Sequence, residues 1–275
     1  MEQVLDADRI RDLETCEREA WADFFRAAPE PSASEHGIAV KETAGGLLAR
    51  AAATDVLALN RVLGLGDCRP ASPGDIDEIV REYRESGARR FFVQISPIAE
   101  PSDLADRLED RGFLRYNNWV KLQRDTAAPA FTGTQIEVRP IEGNDADAFG
   151  RIVSECFGWP DWLGPWVART VGRPGWKHYM AFDGAEAVAT GAFFVWRDLA
   201  WLDFAATLPQ HRGRGAQSAL LARRIDDARE AGCHALVVET AEQTAARGAP
   251  SWRNTVAFGF RQAYLRPNFV RVLRA

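Results

Sequence analysis

Apolar residues recur at helical spacing in two stretches of the chain, residues 73–86 and 213–232. The apolar positions are Ile76, Ile79, Val80 and Tyr83 in the first stretch and Ala216, Leu220, Leu221 and Ile225 in the second. In the second, arginine and aspartate lie opposite the apolar face, and each stretch is followed or closed by glycine. The spacing predicts two amphipathic helices. Further helices are predicted at 7–27, 101–111, from 144 or 145 through 153, and from 250 to 259.

Apolar runs between turn residues predict the strands. Asp183 and Gly184 separate two such runs and predict a hairpin. A short, mainly apolar run at 235–239 fits the middle of a sheet. The predicted strands are 91–95, 116–122, 136–141, 178–182, 187–196, 199–208 and 235–239, with one or two more over 260–273. Residues 157–176 are rich in glycine, proline and tryptophan and are predicted to be irregular.

The order helix, strand, helix, Gly-Phe, strand occurs twice, over residues 73–122 and again over 213–273. Gly112-Phe113 and Gly259-Phe260 hold the same place in the two copies. We interpret this order as a degenerate internal repeat. Two unrelated α/β segments that share a common local order are the alternative.

Small residues, proline and glycine break the periodicity at residues 125–134. This break predicts a boundary between a first domain, 1–128, and a second domain, 135–275. A chain of 275 residues is long enough for two domains of ordinary size.

Composition and charge exclude several classes of partner. The formal net charge is −5, so no general basic field favours nucleic acid. No apolar stretch approaches the ~18 residues that a membrane span needs, and the acidic start lacks a signal-peptide pattern. The four cysteines are scattered without metal-ligand spacing and are expected to be reduced thiols. We expect a cytoplasmic protein with no nucleic-acid partner, membrane partner or metal site.

The segment Gln210-His-Arg-Gly-Arg-Gly-Ala216 follows a predicted strand and opens a predicted helix. Glycines let the backbone approach an anion, and the helix N-terminus supplies free amides and partial positive charge. A dinucleotide fingerprint needs a third glycine where the chain has Ser218, and a P-loop needs Gly-Lys-Ser/Thr, which is missing. The segment therefore predicts a phosphate-binding site of another kind.

These residues carry a family resemblance. Gln210-x-x-Gly213-x-Gly215-Ala216 resembles the Gln/Arg-x-x-Gly-x-Gly/Ala signature of the GNAT superfamily of acyl-CoA-dependent N-acetyltransferases. The later runs Ser251-Trp-Arg-Asn254, Gly259-Phe260-Arg261 and Tyr264-Leu-Arg266 resemble the close of many bacterial members. The resemblance covers roughly residues 136–275. It implies an α/β (α+β) fold of two tandem GNAT-like domains, with mixed central sheets flanked by helices and a degenerate first domain.

The resemblance also implies how acetyl-CoA binds as the co-substrate. Backbone groups of the strand before the signature pair with the pantetheine arm, and the amides of residues 211–216 hold the pyrophosphate. The implied cofactor-binding residues are Ala206, Thr207, Leu208, Gln210, His211, Arg212, Gly213, Arg214, Gly215 and Ala216, with Ser251 and Asn254 from the next helix. For Ser251 and Asn254, capping that helix is the alternative.

Direct attack of an amine on the thioester needs a base or water chain, an oxyanion donor and an acid for the leaving thiolate. Asp203, on the strand leading to the signature, and Glu239, at the end of the next strand, are candidate bases; a solvent-facing carboxylate is the alternative. Many family members carry a tyrosine acid where this chain has Thr255, and an asparagine where it has Gly248. Tyr264 is the substitute candidate for the acid, with plain packing as the alternative.

In a GNAT fold the segment between the first two helices lines the acceptor site. Here it carries a set of aromatic residues: Phe157, Trp159, Trp162, Trp166 and Trp176. Such rings suit an apolar or aromatic acceptor, or a cation, while packing against the first half of the chain is the alternative. In the first half, residues 66–73 contain two prolines and an acid, so no second cofactor site is expected there.

The sequence thus predicts a tandem GNAT-like N-acetyltransferase that acetylates the amine of a small molecule or peptide. A non-catalytic acyl-CoA-binding or sensing module is the rival, favoured by Thr255. Monomer and homodimer both stay open, because helix 7–27 could support dimerisation.

Overall fold

A computed structural model of the chain describes residues 5–43, 46–130, 133–244 and 248–273. It divides into two compact units. Unit 1 comprises Met1–Lys121 and Ala263–Ala275, and unit 2 comprises Leu122–Gln262. The last residues of the chain therefore belong to the same unit as its beginning.

The described residues form helices and strands with the following bounds. The helices are α1 (Ala7–Arg26), α2 (Glu30–His36), α3 (Pro73–Glu85), α4 (Leu104–Glu109), α5 (Ala146–Phe157), α6 (Leu163–Ala168), α7 (Ala216–Glu230) and α8 (Pro250–Ala257). The strands are β1 (Ile38–Thr43), β2 (Gly46–Ala51), β3 (Arg61–Leu63), β4 (Arg90–Gln94), β5 (Leu114–Asp125), β6 (Glu137–Pro140), β7 (Trp176–Asp183), β8 (Glu186–Trp196), β9 (Leu199–Thr207), β10 (Ala235–Ala241) and β11 (Arg261–Val272). Within the described residues, none of these helices is long and apolar enough to cross a bilayer.

The sheet of unit 1 has the order β1-β2-β3-β4-β11. Only β3 and β4 run parallel; the other neighbours are antiparallel. Helix α3 begins with a capping box, in which the Ser72 hydroxyl accepts from the Asp75 amide and the Asp75 carboxylate accepts from the Ser72 amide. Of the predicted apolar face of α3, Ile76, Ile79 and Tyr83 are buried and Val80 is partly buried. The Tyr83 ring stacks on Phe91 at 3.9 Å between centroids.

The sheet of unit 2 has the order β10-β9-β8-β7-β6, in which β9 and β10 are parallel and the other pairs antiparallel. The predicted hairpin is confirmed as β7 and β8, and Gly184 takes the positive φ of 63° that its turn requires. The predicted helix at 213–232 is confirmed as α7. It begins three residues later because Gly213 and Gly215 adopt left-handed backbone angles.

The two halves of the chain repeat one order of elements. Two helices precede three antiparallel strands, a helix, a parallel strand, a helix and a final strand, first from α1 to β5 and then from α5 to β11. The predicted internal repeat therefore appears in the fold. The second copy's final strand, β11, pairs with β4 between Asn268↔Gln94 and Val272↔Arg90. Its Phe269 and Leu273 pack in the core of unit 1, which explains why the end of the chain joins that unit.

The stretch predicted as irregular contains α6. This helix packs on α5 through two glycines: a Cβ added at Gly150 would lie 2.1 Å from the Gly164 carbonyl oxygen. Helix α6 has only six residues and contains a proline, so its sequence shows little helical periodicity. The close approach of its backbone to α5 could not be predicted, because that approach also depends on the partner helix.

Unit 1 contains a buried ionic cluster formed by Glu14, Glu17, Arg61, Lys121 and Arg266. Each of these residues is at most 6% exposed. The Arg266 guanidinium lies 2.6 Å from a Glu14 oxygen and 2.7 Å from a Glu17 oxygen. Arg61 lies 3.3 Å from Glu17, and Lys121 donates a hydrogen bond to Glu17. Burial alone would raise the pKa of Glu17, but the three cations outweigh it and hold that pKa well below its usual range.

Asp67 is a further buried carboxyl group in unit 1, outside this cluster. Burial, followed by the nearby Glu14 charge, raises the pKa of Asp67 to about 7, and its Oδ1 accepts a hydrogen bond from the Ser96 hydroxyl. The folded protein therefore keeps a proton that the unfolded chain releases near pH 3.8. The resulting stability is fully present below that pH and is lost as pH rises through 7.

We expect Asp67→Asn to remove this titration. Between pH 4 and pH 8 the free energy of unfolding of the wild type should fall by roughly 2–4 kcal/mol more than that of the variant. Urea unfolding at several pH values measures the difference. Asp77→Asn is the matched control, because Asp77 is exposed and paired with Arg111, and its profile should follow the wild type. Parallel curves for Asp67→Asn and wild type would contradict the prediction.

Candidate functional site

Strands β9 and β10 separate part of the way along unit 2. The two strands pair from Leu199↔Ala235 to Trp201↔Val237, and their pairing ends at that point. Immediately beyond, Leu202, Ala205 and Val238 line a pocket of about 800 Å³. The gap between two parallel strands therefore opens into a cavity large enough for a small-molecule ligand.

A β-bulge distorts β9 beside this pocket. Thr190 faces Ala206 and Ala192 faces Asp203, so β9 has one residue more than β8 across the step. Phe204 lies in the bulge with φ of 51°, an uncommon angle for a residue other than glycine. The Asp203 carboxylate accepts from the Phe204 amide at 2.7 Å, and the Thr190 hydroxyl donates to the Phe204 carbonyl at 2.8 Å. Side chains thus hold the peptide groups that the bulge releases from the ladder.

The glycine segment after β9 forms an open cradle at the start of α7. Gly213 and Gly215 have φ of 77° and 86°, and a Cβ added at Gly213 would meet no described atom within 4 Å. The first amides of α7 have no acceptor within the helix. Free amides, a helix N-terminus and the lining residues His211 and Arg212 together make this a site for an anion.

Most of the predicted cofactor-binding residues line the pocket. They are Ala206, Thr207, His211, Arg212, Gly213, Gly215, Ala216, Ser251 and Asn254. The lining does not include Leu208, Gln210 or Arg214, and the Arg214 guanidinium instead pairs with Asp183 on the β7–β8 turn. Ser251 lies inside α8, whose N-cap is Ala249, so Ser251 is not the cap of that helix.

Gln217 was missed by sequence reasoning. Its side-chain nitrogen donates to the Ala206 carbonyl at 2.7 Å, the Thr207 hydroxyl at 3.0 Å and the Thr190 carbonyl at 3.2 Å. Gln217 also lines the pocket, so it fastens the end of β9 to the first turn of α7. Its position directly after the glycine segment was a usable signal.

The predicted catalytic residues do not line the pocket. Asp203 accepts from the Trp201 indole at 3.1 Å as well as from the Phe204 amide, and Glu239 lies on β10. Tyr264 belongs to unit 1, where its hydroxyl donates to Glu14 at 2.7 Å. Burial, followed by the charge of Glu14, raises the pKa of Tyr264 well above its usual value. These contacts give Tyr264 a structural role in the buried ionic cluster.

Thr255 lies at the position where the resemblance led us to expect a tyrosine, and it does line the pocket. Its hydroxyl donates to the carbonyls of Ser251 at 3.1 Å and Trp252 at 2.9 Å. The hydroxyl proton is therefore used within α8 itself.

One of the aromatic residues predicted for the acceptor side, Phe157, lines the pocket. Trp159 stacks on Phe157 with ring centroids 5.0 Å apart. Trp166 and Trp176 are buried in unit 2, where Trp176 stacks on His178 and contacts Phe204. The core of unit 2 therefore accounts for these two tryptophans.

The corresponding loop of unit 1, between β3 and α3, is filled by its own chain. A Cβ added at Gly66 would lie 2.5 Å from the Glu100 carbonyl oxygen. The Glu100 amide donates to the Gly66 carbonyl at 3.0 Å, and the Ala71 amide donates to the Glu100 carbonyl at 2.8 Å. Glu100 thus occupies the space that stands open at Gly213 in unit 2.

The region that forms most of the pocket matches a known protein family. Residues 147–249 match the model of the acetyltransferase (GNAT) family, and they include β9, the glycine cradle, α7 and β10. Over this region the match supports the resemblance to the GNAT superfamily. Proteins of this family are in general acyl-CoA-dependent acetyltransferases, and the matched region contains both the cradle and the strand gap. No protein of curated function matches the sequence.

Solved structures share the GNAT fold. A GCN5-related N-acetyltransferase from Kribbella flavida is 15% identical, with a TM-score of 0.58 over 90% of this chain and 95% of that one. Another from Sphaerobacter thermophilus is 17% identical, with a TM-score of 0.59 over 78% and 72%. A tandem GNAT protein from the clavulanic acid biosynthesis pathway is 15% identical, with a TM-score of 0.54 over 77% and 74%. The predicted α/β fold with tandem GNAT-like halves is confirmed.

Proposed function

We propose that unit 2 binds acetyl-CoA and transfers its acetyl group to an amine of a small molecule or peptide. The observation that carries the proposal is the open cradle at Gly213 and Gly215, which shares one pocket with the gap between β9 and β10. An anion at the cradle and an extended chain in the strand gap match the pyrophosphate and the pantetheine arm of coenzyme A. The GNAT family match supports the same class of ligand.

Different pocket residues bind different parts of acetyl-CoA. The amides at the start of α7 hold the pyrophosphate, with Arg212 beside them. Backbone groups of Ala206 and Thr207, which are released from β10, pair with the pantetheine arm. Ser251 and Asn254 line the pocket from α8 and contact the cofactor from that side.

The reaction is direct aminolysis of the thioester. The amine nitrogen bonds to the carbonyl carbon, the carbon–sulfur bond breaks, the amine loses a proton and the thiolate gains one. The amide of Ala205, which lines the pocket beside the bulge, is the oxyanion donor that we propose. Asp203 and Glu239 are the proposed bases, each acting through water because neither lines the pocket.

Binding and turnover test the proposal separately. We expect calorimetry to show acetyl-CoA binding at micromolar concentrations, and a thiol assay to show release of free coenzyme A with at least one amine of a broad panel. Absence of acetyl-CoA binding would overturn the proposal.

A non-catalytic acyl-CoA-binding module is the second candidate, and the contacts of Thr255 favour it. The position where many family members carry a tyrosine acid is a threonine here, and its hydroxyl donates within α8. Acetyl-CoA binding without thiol release on any amine would support this candidate over the transferase.

A further inference from the structure

Arg224 is a buried cation in the wall of the pocket. It lies on α7 with its side chain directed into the fold, and the residue is 2% exposed. Its Nε donates to the Leu220 carbonyl at 3.2 Å. One terminal nitrogen donates to the Ala192 carbonyl at 3.2 Å and to the Asp203 carbonyl at 3.5 Å, beside the bulge of β9. Three carbonyl groups therefore fix the guanidinium in place.

Gly191 on β8 provides the space for this guanidinium. A Cβ added there would lie 2.9 Å from the guanidinium carbon and 3.1 Å from Nε of Arg224. Glycine in a strand interior usually marks a close approach by another group, and here that group is Arg224. The other terminal nitrogen of Arg224 has no hydrogen-bond partner among the described residues, although the residue lines the pocket.

The guanidinium of Arg224 has no carboxylate in direct contact with it, although the charge of Asp203 acts on it from a greater distance. No aspartate or glutamate of the described chain lies within ion-pair distance of it, and none is among the pocket-lining residues. Burial lowers the pKa of Arg224 to about 10, so the side chain stays cationic at neutral pH. A buried charge whose hydrogen bonds all go to carbonyl groups is costly unless an anion in direct contact completes its surroundings.

The pyrophosphate of the cofactor does not account for this charge. Ser218, Leu221 and Arg224 follow one another along the pocket-facing side of α7, and the Cα atoms of Ser218 and Arg224 are separated by roughly 9 Å of helical rise. His211 and Arg212 already line the cradle. Arg224 therefore stands apart from the phosphate end, beside the bulge where the thioester and the acceptor would meet.

We propose that Arg224 binds a carboxylate of the substrate, carried by the amine acceptor or by the acyl chain of the coenzyme A thioester. The inference rests on the proposed acyl-CoA site. A planar guanidinium with a free terminal nitrogen forms strong, charge-assisted hydrogen bonds with a carboxylate. The pocket thus selects an anionic substrate over a neutral one of the same shape.

Two calorimetric titrations distinguish the sources of the carboxylate. In the acceptor arm, amino acids and their matching amides are titrated into protein saturated with coenzyme A. In the donor arm, succinyl-CoA is compared with butanoyl-CoA, which has the same chain length without the carboxylate. We expect the wild type to prefer the carboxylate member in one arm by about tenfold or more. Equal affinities in both arms would overturn the inference.

Variants tie the preference to Arg224. Arg224→Met should remove most of the preference while affinity for free coenzyme A stays within about threefold of wild type. Gly191→Ala keeps the charge of Arg224 but displaces its guanidinium, so this variant should also lose the preference for the carboxylate. It provides a second test in case Arg224→Met fails to fold. Arg223→Met is the matched control, because Arg223 pairs with Asp227 outside the pocket lining. An unchanged preference in both Arg224→Met and Gly191→Ala would contradict the proposal.

Failure of the acyl-CoA site itself is a different result. If the wild type does not bind coenzyme A, both the proposed function and this inference fall. If it binds coenzyme A without preferring a carboxylate in either arm, only the inference falls.

Discussion

Gly215→Val should weaken acetyl-CoA binding at least about 100-fold, a loss of about 2.7 kcal/mol of binding free energy. Gly215 is the N-cap of α7 with φ of 86°, and a β-branched residue is strained at that angle. Its Cβ would also lie 3.2 Å from the Thr134 hydroxyl. The backbone must therefore shift where the amides of the cradle converge. Calorimetric titration of acetyl-CoA into the variant measures the loss.

The opposite end of the same helix supplies the control. Gly232 follows α7 with φ of 82°, and a Cβ there would meet no described atom within 4 Å. Gly232→Val therefore carries similar backbone strain without touching the pocket, and its acetyl-CoA affinity should stay near that of wild type. If both variants lose affinity equally, general strain explains the effect. If Gly215→Val binds normally, the cradle does not hold the cofactor.

Local patterns predicted the parts of the fold that depend on local sequence. The apolar faces of α3 and α7, the β7–β8 hairpin and the repeated order of elements can all be read within windows of a few tens of residues. The pairing partner of β11 cannot be predicted from such a window. Its register with β4 joins residues such as Asn268 and Gln94, which are distant in sequence. Pairing partners of an antiparallel strand depend on the whole chain rather than on the strand itself.

The candidate site was predicted unevenly for a related reason. The cradle is a continuous run of residues, so its glycines could be recognised directly. Catalytic roles depend on which side chains converge in space, and Asp203, Glu239 and Tyr264 do not line the pocket. No role was predicted for Arg224 from the sequence. Helical spacing places Arg224 beside Leu220 and Leu221 on the buried side of α7, but the space for its guanidinium comes from Gly191 on another strand, which no pattern within α7 contains.

Glu17→Gln should destabilise the protein by about 3–5 kcal/mol, the largest stability effect that we expect from a substitution of similar shape. Glu17 lies on α1 with no exposed surface and faces Arg61, Lys121 and Arg266. The neutral amide leaves these cations with Glu14 as the remaining carboxylate of the buried ionic cluster. Urea unfolding followed by circular dichroism measures the difference in the free energy of unfolding.

The pH dependence of this difference follows from the lowered pKa of Glu17. A carboxylate with a depressed pKa in the folded state contributes stability above its unfolded pKa, and that contribution is lost as pH falls toward the folded value. The difference in the free energy of unfolding between wild type and Glu17→Gln should therefore be constant near neutral pH. It should shrink below about pH 4.5, the ordinary pKa of glutamate. A difference in the free energy of unfolding that grows in acid would contradict a lowered pKa for Glu17.

A control and a compensating change separate charge balance from packing. Glu19→Gln makes the same change two residues away on α1, outside the buried ionic cluster, and should alter stability by less than about 0.5 kcal/mol. Adding Lys121→Met to Glu17→Gln removes one cation along with the anion and should restore part of the lost stability. If the double variant is as unstable as the sum of the two single variants, Glu17 acts through its shape rather than its charge.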